Sequence, residues 1–322
     1  MRHLLDIETL ADDDLQGLLA RAAALAGGAS PQQRRGSVAN VFMEPSTRTR
    51  VSFELAARRL GLDVVTIEQA SSSASKGESL LDTARTLAAM GVGGLVLRHP
   101  DDLAAHRLAK QLDEHLAGQS DEQPGEQPGE TGPFIVNAGS GRLAHPSQAL
   151  LDAVTLARTG VDWPDMTITI LGDIRHSRVA RSDIALFNRL GAGELRIAGP
   201  AEFMPAADEL PAARRFDSID DALDGADVII CLRIQRERIA GEYPDGAAYH
   251  RAWGLTARRL AAMPPHACIL HPGPVNHDVE IAAELVHGPR SRILEQVRIG
   301  VHLRTAVFEW LLPEEPSRAA GR

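Results

Sequence analysis

The chain has 322 residues, room for two domains of ordinary size, and 34 Lys and Arg against 43 Asp and Glu leave a net charge of −9. That balance speaks against a nucleic-acid binder, whose affinity rests on a basic face that neutralises phosphates, and it makes local clusters of cations informative because they run against the total. No apolar segment approaches the ~20 residues of a membrane span, MRHLLDIETLADDDL has acids where a signal peptide needs its apolar stretch, and Cys231 and Cys268 both sit in apolar runs, so a cytoplasmic protein with reduced, buried thiols is expected.

In chain order, short β-branched runs alternate with longer helical patterns. Residues 37–42, 63–68, 93–98 and 133–139 predict four strands, and 166–173, 194–200, 227–233 and 268–274 predict four more. Between them, apolar residues at three- and four-residue spacing predict helices over 51–60, 78–90, 148–158 and 178–190. Such alternation implies parallel sheets covered by helices on both faces. The expected fold class is therefore α/β, with two similar-sized domains, each a parallel sheet flanked by helices, linked by interdomain helices. Residues 145–160 read as the joining helix, and the apolar 299–312 as a closing helix that returns to the first domain. The domains are expected at 1–146, with 296–322 packing back on it, and at 147–295. The segment 117–133, AGQSDEQPGEQPGETGP, holds a tandem Glu-Gln-Pro-Gly repeat that cannot repay the entropy of ordering, and it is expected to be a surface loop.

Ser46-Thr47-Arg48-Thr49-Arg50 follows the first predicted strand and opens a predicted helix. The unpartnered N–H groups and dipole of that helix end favour an anion. Three hydroxyls add short donors, and Arg48 adds a planar fork suited to phosphate. The motif lacks the glycines of a P-loop or a dinucleotide fingerprint, so it is a phosphate site of another design. Further along, SSSASKGES carries Ser72 and Lys76 in a polar loop, Arg98 ends a strand, and His145 and Gln148 open a helix behind a proline. His145 with Gln148 fits polarisation of a carbonyl oxygen and binding of an amide. In the second half, Arg175, His176, Arg178 and Arg181 follow one strand, and Arg233, Gln235, Arg236 and Arg238 follow another. HPGP at 271–274 closes the last strand, where Gly273 and Pro274 offer backbone carbonyls. Arginine forks recognise carboxylates bidentately, so a phosphate held by the first domain and carboxylates held by the second are expected. Although twelve histidines are present, no pair has metal-ligand spacing set among Cys or acidic partners, and neither a metal nor a cofactor is expected.

These segments, in this order and over nearly the whole chain apart from 117–133, resemble the aspartate/ornithine carbamoyltransferase family. Ser-Thr-Arg-Thr-Arg, the Lys-Gly-Glu loop, Arg-His-Pro and His-Pro-x-Gln resemble its carbamoyl-phosphate half. Arg-x-Gln at 233–235 and His-Pro-Gly-Pro at 271–274 resemble the aspartate branch; the His-Cys-Leu-Pro and Ser-Met-Gly expected of the ornithine branch do not occur. The resemblance implies transfer of the carbamoyl group of carbamoyl phosphate to the α-amino group of L-aspartate in pyrimidine biosynthesis. It implies that Ser46, Thr47, Arg48, Thr49 and Arg98 hold the phosphate, and that Thr49, Arg98, His145 and Gln148 surround the carbamoyl group. Arg178, Arg233, Gln235, Gly273 and Pro274 would bind aspartate. Ser72 and Lys76 would reach the active site of a neighbouring subunit, which implies a homotrimer with shared sites. Glu44 is expected to bridge to Arg178 and Arg238 when the enzyme closes. His277-Asp278 departs from the basic residue and glycine of many relatives, which points to altered loop geometry there. A carbamoyltransferase for another amino acid and an inactive scaffold are the competing readings, and regulatory or dihydroorotase-like partner chains are left open.

Overall fold

The computed structural model describes residues 1–68, 78–122, 132–206, 208–234 and 245–313. The chain divides into two compact units, Met1–Ser147 with Gly300–Arg322, and Gln148–Ile299.

The first unit is built on β1 (Ser37–Phe42), β2 (Asp63–Glu68), β3 (Val92–His99) and β4 (Phe134–Ser140), all parallel, in the order β2-β1-β3-β4. β1 and β4 are buried almost throughout and read as continuous apolar runs, as strands covered on both faces must. β2, at the edge, is largely exposed. One face carries the helices Leu80–Ala89 and Ala104–Glu122, packed on Ala39, Val41, Leu95 and Leu97. On the other, Phe53 of the helix Thr47–Arg59 meets Phe308 edge-on at 5.8 Å, and Phe134 lies 6.3 Å from Phe308. Phe308 belongs to the last helix, Ile293–Leu311, whose far end is tied down by side chains. Arg21 grips Glu309 with a fork of 2.6 and 2.9 Å, and the Trp310 indole donates to Asp14 at 2.7 Å.

The chain runs outward from β1 to β2 and returns on the opposite side of β1 as β3. The carboxyl ends of β1 and β3 are therefore neighbours at the point where strand order reverses, with Phe42 paired to Arg98. Open parallel sheets leave a ligand crevice at such a point.

The second unit repeats the plan with β5 (Thr167–Leu171), β6 (Glu194–Ala198), β7 (Arg214–Phe216), β8 (Val228–Cys231) and β9 (Cys268–Leu270), parallel in the order β7-β6-β5-β8-β9. Its order reverses between β5 and β8. β7 was not expected: three residues, two of them arginine, carry no β-branched run, and an edge position tolerates that polarity. β9 stops at Leu270, short of the expected end at 274, because Pro272 and Pro274 have no N–H for a ladder. The helix Ala104–Glu122 also continues into the segment expected to be loop, since nothing breaks it before Pro124, and the residue ahead of a proline is pushed out of helical geometry. Residues 123–131, which hold all of the repeat except Glu122, lie outside the described residues.

Both cysteines are free and buried; burial pushes the Cys231 thiol far up and that of Cys268 up to about 11, so both act as small apolar side chains. Among the described residues no helix is long and apolar enough to cross a membrane.

Candidate active site

In the first unit, β1 delivers the chain through Met43, Glu44 and Pro45 to Ser46, the N-cap of the helix Thr47–Arg59. The Met43 N–H donates to the Arg98 carbonyl at 2.8 Å, so the turn after β1 is locked to the end of β3. Ser46 has the extended backbone of a cap, but its hydroxyl does not close on a helix N–H. The first-turn N–H groups thus keep their outward direction, which is what an anion requires. Thr47 and Arg48 are exposed at this end and Thr49 is buried. Arg50, one residue on, is drawn away to Glu68 at 3.4 Å and braces the end of β2.

Arg98 is held in place by a hydrogen bond from Nη1 to the Ala138 carbonyl at 3.1 Å. Its Nε lies 3.7 Å from Glu44 Oε2, so Glu44 here neighbours the arginine of its own unit; Arg238, one of its expected partners, lies outside the described residues. After β4 the backbone folds tightly, Ser140 N–H to Ala144 O at 3.0 Å and Leu143 N–H to Ser140 O at 3.0 Å. That turn sets the buried His145 directly ahead of the helix Pro146–Ala157, with proline at the first position, where its missing N–H is not needed. Ser46 to Thr49, Arg98 and His145 therefore share the carboxyl edge of one sheet. Gln148 follows within the first turn of the same helix, where the chain passes into the second unit. Its Nε2 donates to Asp152 at 3.0 and 3.1 Å.

In the second unit the turn after β5 is shaped by Asp173, which accepts from the His176 backbone at 3.1 Å and lies 2.9 Å from its ring Nδ1. Burial raises the Asp173 pKa in spite of the opposing pull of His176 and Arg175. Ser177 accepts from the Ala180 N–H at 3.1 Å and so starts the helix Arg178–Arg189. Arg178 is its first residue and is buried, whereas Arg181 is turned to Glu209 at 2.6 Å. β8 is followed by Leu232, Arg233 and Ile234, with Arg233 half-buried. Arg178 and Arg233 thus follow the two strands that flank the second switch point.

The loop after β9 joins them. Gly273 has φ 66° and a cis bond to Pro274. The Gly273 N–H donates to His271 Nδ1 at 2.7 Å, which leaves the ring proton on Nε2 to donate to Glu280 Oε1 at 3.0 Å. Glu280 Oε1 also accepts the Asn276 N–H at 2.7 Å, and the Asn276 amide donates to the Ile234 carbonyl at 3.3 Å. Gly273 and Asn276 are therefore tied through His271 and Glu280 to the Ile234 carbonyl, one residue past Arg233. The departure at 277–278 does not disturb it. Asp278 takes the left-handed φ of 58° that glycine would adopt freely, and its Oδ1 accepts the Ala283 N–H at 2.9 Å. Short polar side chains with a local hydrogen bond are the ones that tolerate this region. Ser72, Lys76, Gln235 and Arg236 lie outside the described residues.

Asp152, Glu280 and Gln296 escaped the sequence reading. The available signal was a charged or amide side chain inside an otherwise apolar helical or turn segment, as in Gln148-Ala-Leu-Leu-Asp152.

Two parallel sheets, each bearing cations at its own switch point, define a two-domain α/β enzyme for anionic substrates. Residues 2–158 match the family model of the aspartate/ornithine carbamoyltransferase carbamoyl-P binding domain, and 164–311 match that of the Asp/Orn binding domain. The aspartate carbamoyltransferase catalytic subunit of Xanthomonas campestris pv. campestris (strain B100) is 44% identical over 97% of this chain and 96% of its own. Aspartate transcarbamoylase from Trypanosoma cruzi, solved with carbamoyl aspartate and phosphate, superposes with a TM-score of 0.76 at 27% identity, covering 97% of this chain and 95% of that one. Ornithine carbamoyltransferase from Thermus thermophilus shares the fold, with a TM-score of 0.77 at 24% identity over 97% and 99% of the two chains. The chain belongs to the aspartate/ornithine carbamoyltransferase family.

Proposed function

We propose that this chain transfers the carbamoyl group of carbamoyl phosphate to the α-amino group of L-aspartate, giving N-carbamoyl-L-aspartate and phosphate for pyrimidine biosynthesis in the cytoplasm. The observation that carries this reading is that Ser46–Thr49 and Arg98 stand at the carboxyl ends of the strands flanking one switch point, and Arg178 and Arg233 follow the strands flanking the other.

Both substrates are anions, and their repulsion is the first barrier to bringing them together. Ser46, Thr47, Arg48, Thr49 and Arg98 take the phosphate, while Arg178 and Arg233 take the two carboxylates, helped by Gln235 and the carbonyls at Gly273 and Pro274. Fixing both partners contributes up to ~7–11 kcal/mol in favourable systems. The neutral amine attacks the carbamoyl carbon, and negative charge gathers on the carbamoyl oxygen, where Thr49, Arg98 and His145 donate. Gln148 presents its amide to the carbamoyl NH₂. Collapse breaks the bond from carbon to the phosphate oxygen, and the departing phosphate accepts the amine proton, so no covalent enzyme intermediate is needed. Lys76 and Ser72 complete the site from a neighbouring subunit of a homotrimer.

Phosphate release from carbamoyl phosphate tests the assignment. L-aspartate should support it and L-ornithine should not, and Arg98→Ala should lower turnover by about 10²–10³, as expected for loss of one donor to a developing oxyanion. Release with ornithine alone would overturn the choice of acceptor.

A further inference from the structure

The hydrogen bonds of the second unit continue past Gln148. Asp152 is fully buried, and its Oδ1 accepts from Gln296 Nε2 at 2.6 Å as well as from Gln148 Nε2 at 3.0 Å. Gln296 Oε1 in turn accepts the backbone N–H of His271 at 2.9 Å. His271 receives the Gly273 N–H on its ring, and its other ring nitrogen meets Glu280. An unbroken buried chain thus runs from the Gln148 amide through Asp152, Gln296 and His271 to Gly273.

We propose that Asp152 is a positioning residue that orients the Gln148 amide and, through Gln296, the 271–274 loop, so that one buried carboxylate aligns the groups that meet both substrates. The inference rests on the function proposed above, in which Gln148 faces the carbamoyl group and Gly273 and Pro274 face aspartate.

The physical basis is the asymmetry of a primary amide. A glutamine side chain keeps its shape when its oxygen and nitrogen exchange places, so only its partners decide which atom points where. An ionised carboxylate accepts and never donates, so it draws the NH₂ of both glutamines. Gln148 is then left with Oε1 to accept from the carbamoyl NH₂, and Gln296 with Oε1 to accept from His271. An amide at 152 would receive either orientation equally well. The neighbouring Asp183 supports the charge assignment. Its two oxygens have no hydrogen-bond partner among the described residues, while Asp152 collects N–H donors. Three N–H contacts from two glutamines converge on Asp152 and favour the charge there, while burial, with the Asp152 charge second, raises the Asp183 pKa well above the usual value.

The test is steady-state kinetics of the full-length enzyme together with direct binding of carbamoyl phosphate. Asp152→Asn should weaken carbamoyl phosphate binding and raise the KM for aspartate, each by at least about tenfold, the scale of losing hydrogen bonds to a charged group. Gln296→Met cuts only the branch to the loop; it should raise the KM for aspartate and leave carbamoyl phosphate binding within about twofold. In a Gln148→Ala background, Asp152→Asn should no longer affect carbamoyl phosphate but should still raise the KM for aspartate. Should Asp152→Asn fail to fold, the split shown by Gln296→Met decides the matter. Folded variants that keep both constants, or a Gln296→Met that weakens both equally, would overturn the relay. A wild-type enzyme that forms no carbamoyl aspartate would instead overturn the proposed function, a separate result.

Discussion

Asp183 shows how a single residue sets a pH dependence. It is fully buried on the helix Arg178–Arg189, and neither carboxyl oxygen finds a hydrogen-bond partner among the described residues. Burial first, and the Asp152 charge second, hold its pKa well above the ordinary carboxylate value. The sign follows directly. In the unfolded chain the group titrates at about 3.9, and in the folded protein it titrates higher, so the folded state binds more protons in the interval between. The contribution of Asp183 is most favourable below the unfolded value and is lost as pH rises toward the folded one, by up to about 1.4 kcal/mol per pH unit. Asp183→Asn carries no charge and should escape this loss. Urea denaturation across a pH series should show the variant gaining on the wild type from about pH 4 upward and converging with it below. A difference that does not change with pH would refute the assignment. At the same scale, Asp278 accepted a backbone conformation that its side chain made look unsuitable, because one hydrogen bond to Ala283 offsets the strain.

At the scale of elements, β3 lies between β1 and β4 and carries Arg98 one residue before its end, so its placement governs the side of the site proposed to take phosphate. Gly94 and Gly93 stand next to each other on it and face different surroundings. A methyl group on Gly94 would overlap the Phe134 ring, which is itself pressed toward Phe308, while one on Gly93 would meet only the Ser37 carbonyl at 3.6 Å. Gly94→Ala should therefore cost about 1–3 kcal/mol through overpacking and lower carbamoyl phosphate affinity along with it, whereas Gly93→Ala should be close to neutral. Thermal melts of the two variants separate steric crowding from a general intolerance of the strand; equal losses would count against it. Elements of this kind were legible because buried parallel strands and amphipathic helices have different periods. β7 was not, since Arg214-Arg215-Phe216 becomes a strand only through pairing with β6. The clusters Ser46–Thr49, Arg98, Arg178 and Arg233 were also legible, as cations and hydroxyls just beyond apolar runs. The chain from Asp152 to His271 was hidden, because Gln296 stands far from both partners in sequence and only the fold unites them.

At the scale of the whole molecule, a chain of net charge −9 handles two anionic substrates by concentrating cations locally. The described residues supply arginines from both units, but Lys76, on the segment that the family resemblance sends to a neighbour, lies outside them. This makes the number of chains per site the decisive whole-molecule question. If each site takes His145 from one chain and Lys76 from the next, a chain with Lys76→Ala still offers His145, and a chain with His145→Ala still offers Lys76. Each variant alone should be nearly inactive, because every site in its trimer carries a lesion. An equal mixture, dissociated and reassociated, should contain intact pairings at roughly a quarter of the interfaces of a cyclic trimer, with the remainder carrying one or two lesions. Activity should therefore return toward roughly a quarter of the wild-type value as exchange proceeds. Exchange can be followed independently by native mass spectrometry of differently tagged chains. Mixed trimers that form and stay inactive would mean that both residues act within one chain, and the shared site would have to be abandoned while the reaction itself stood.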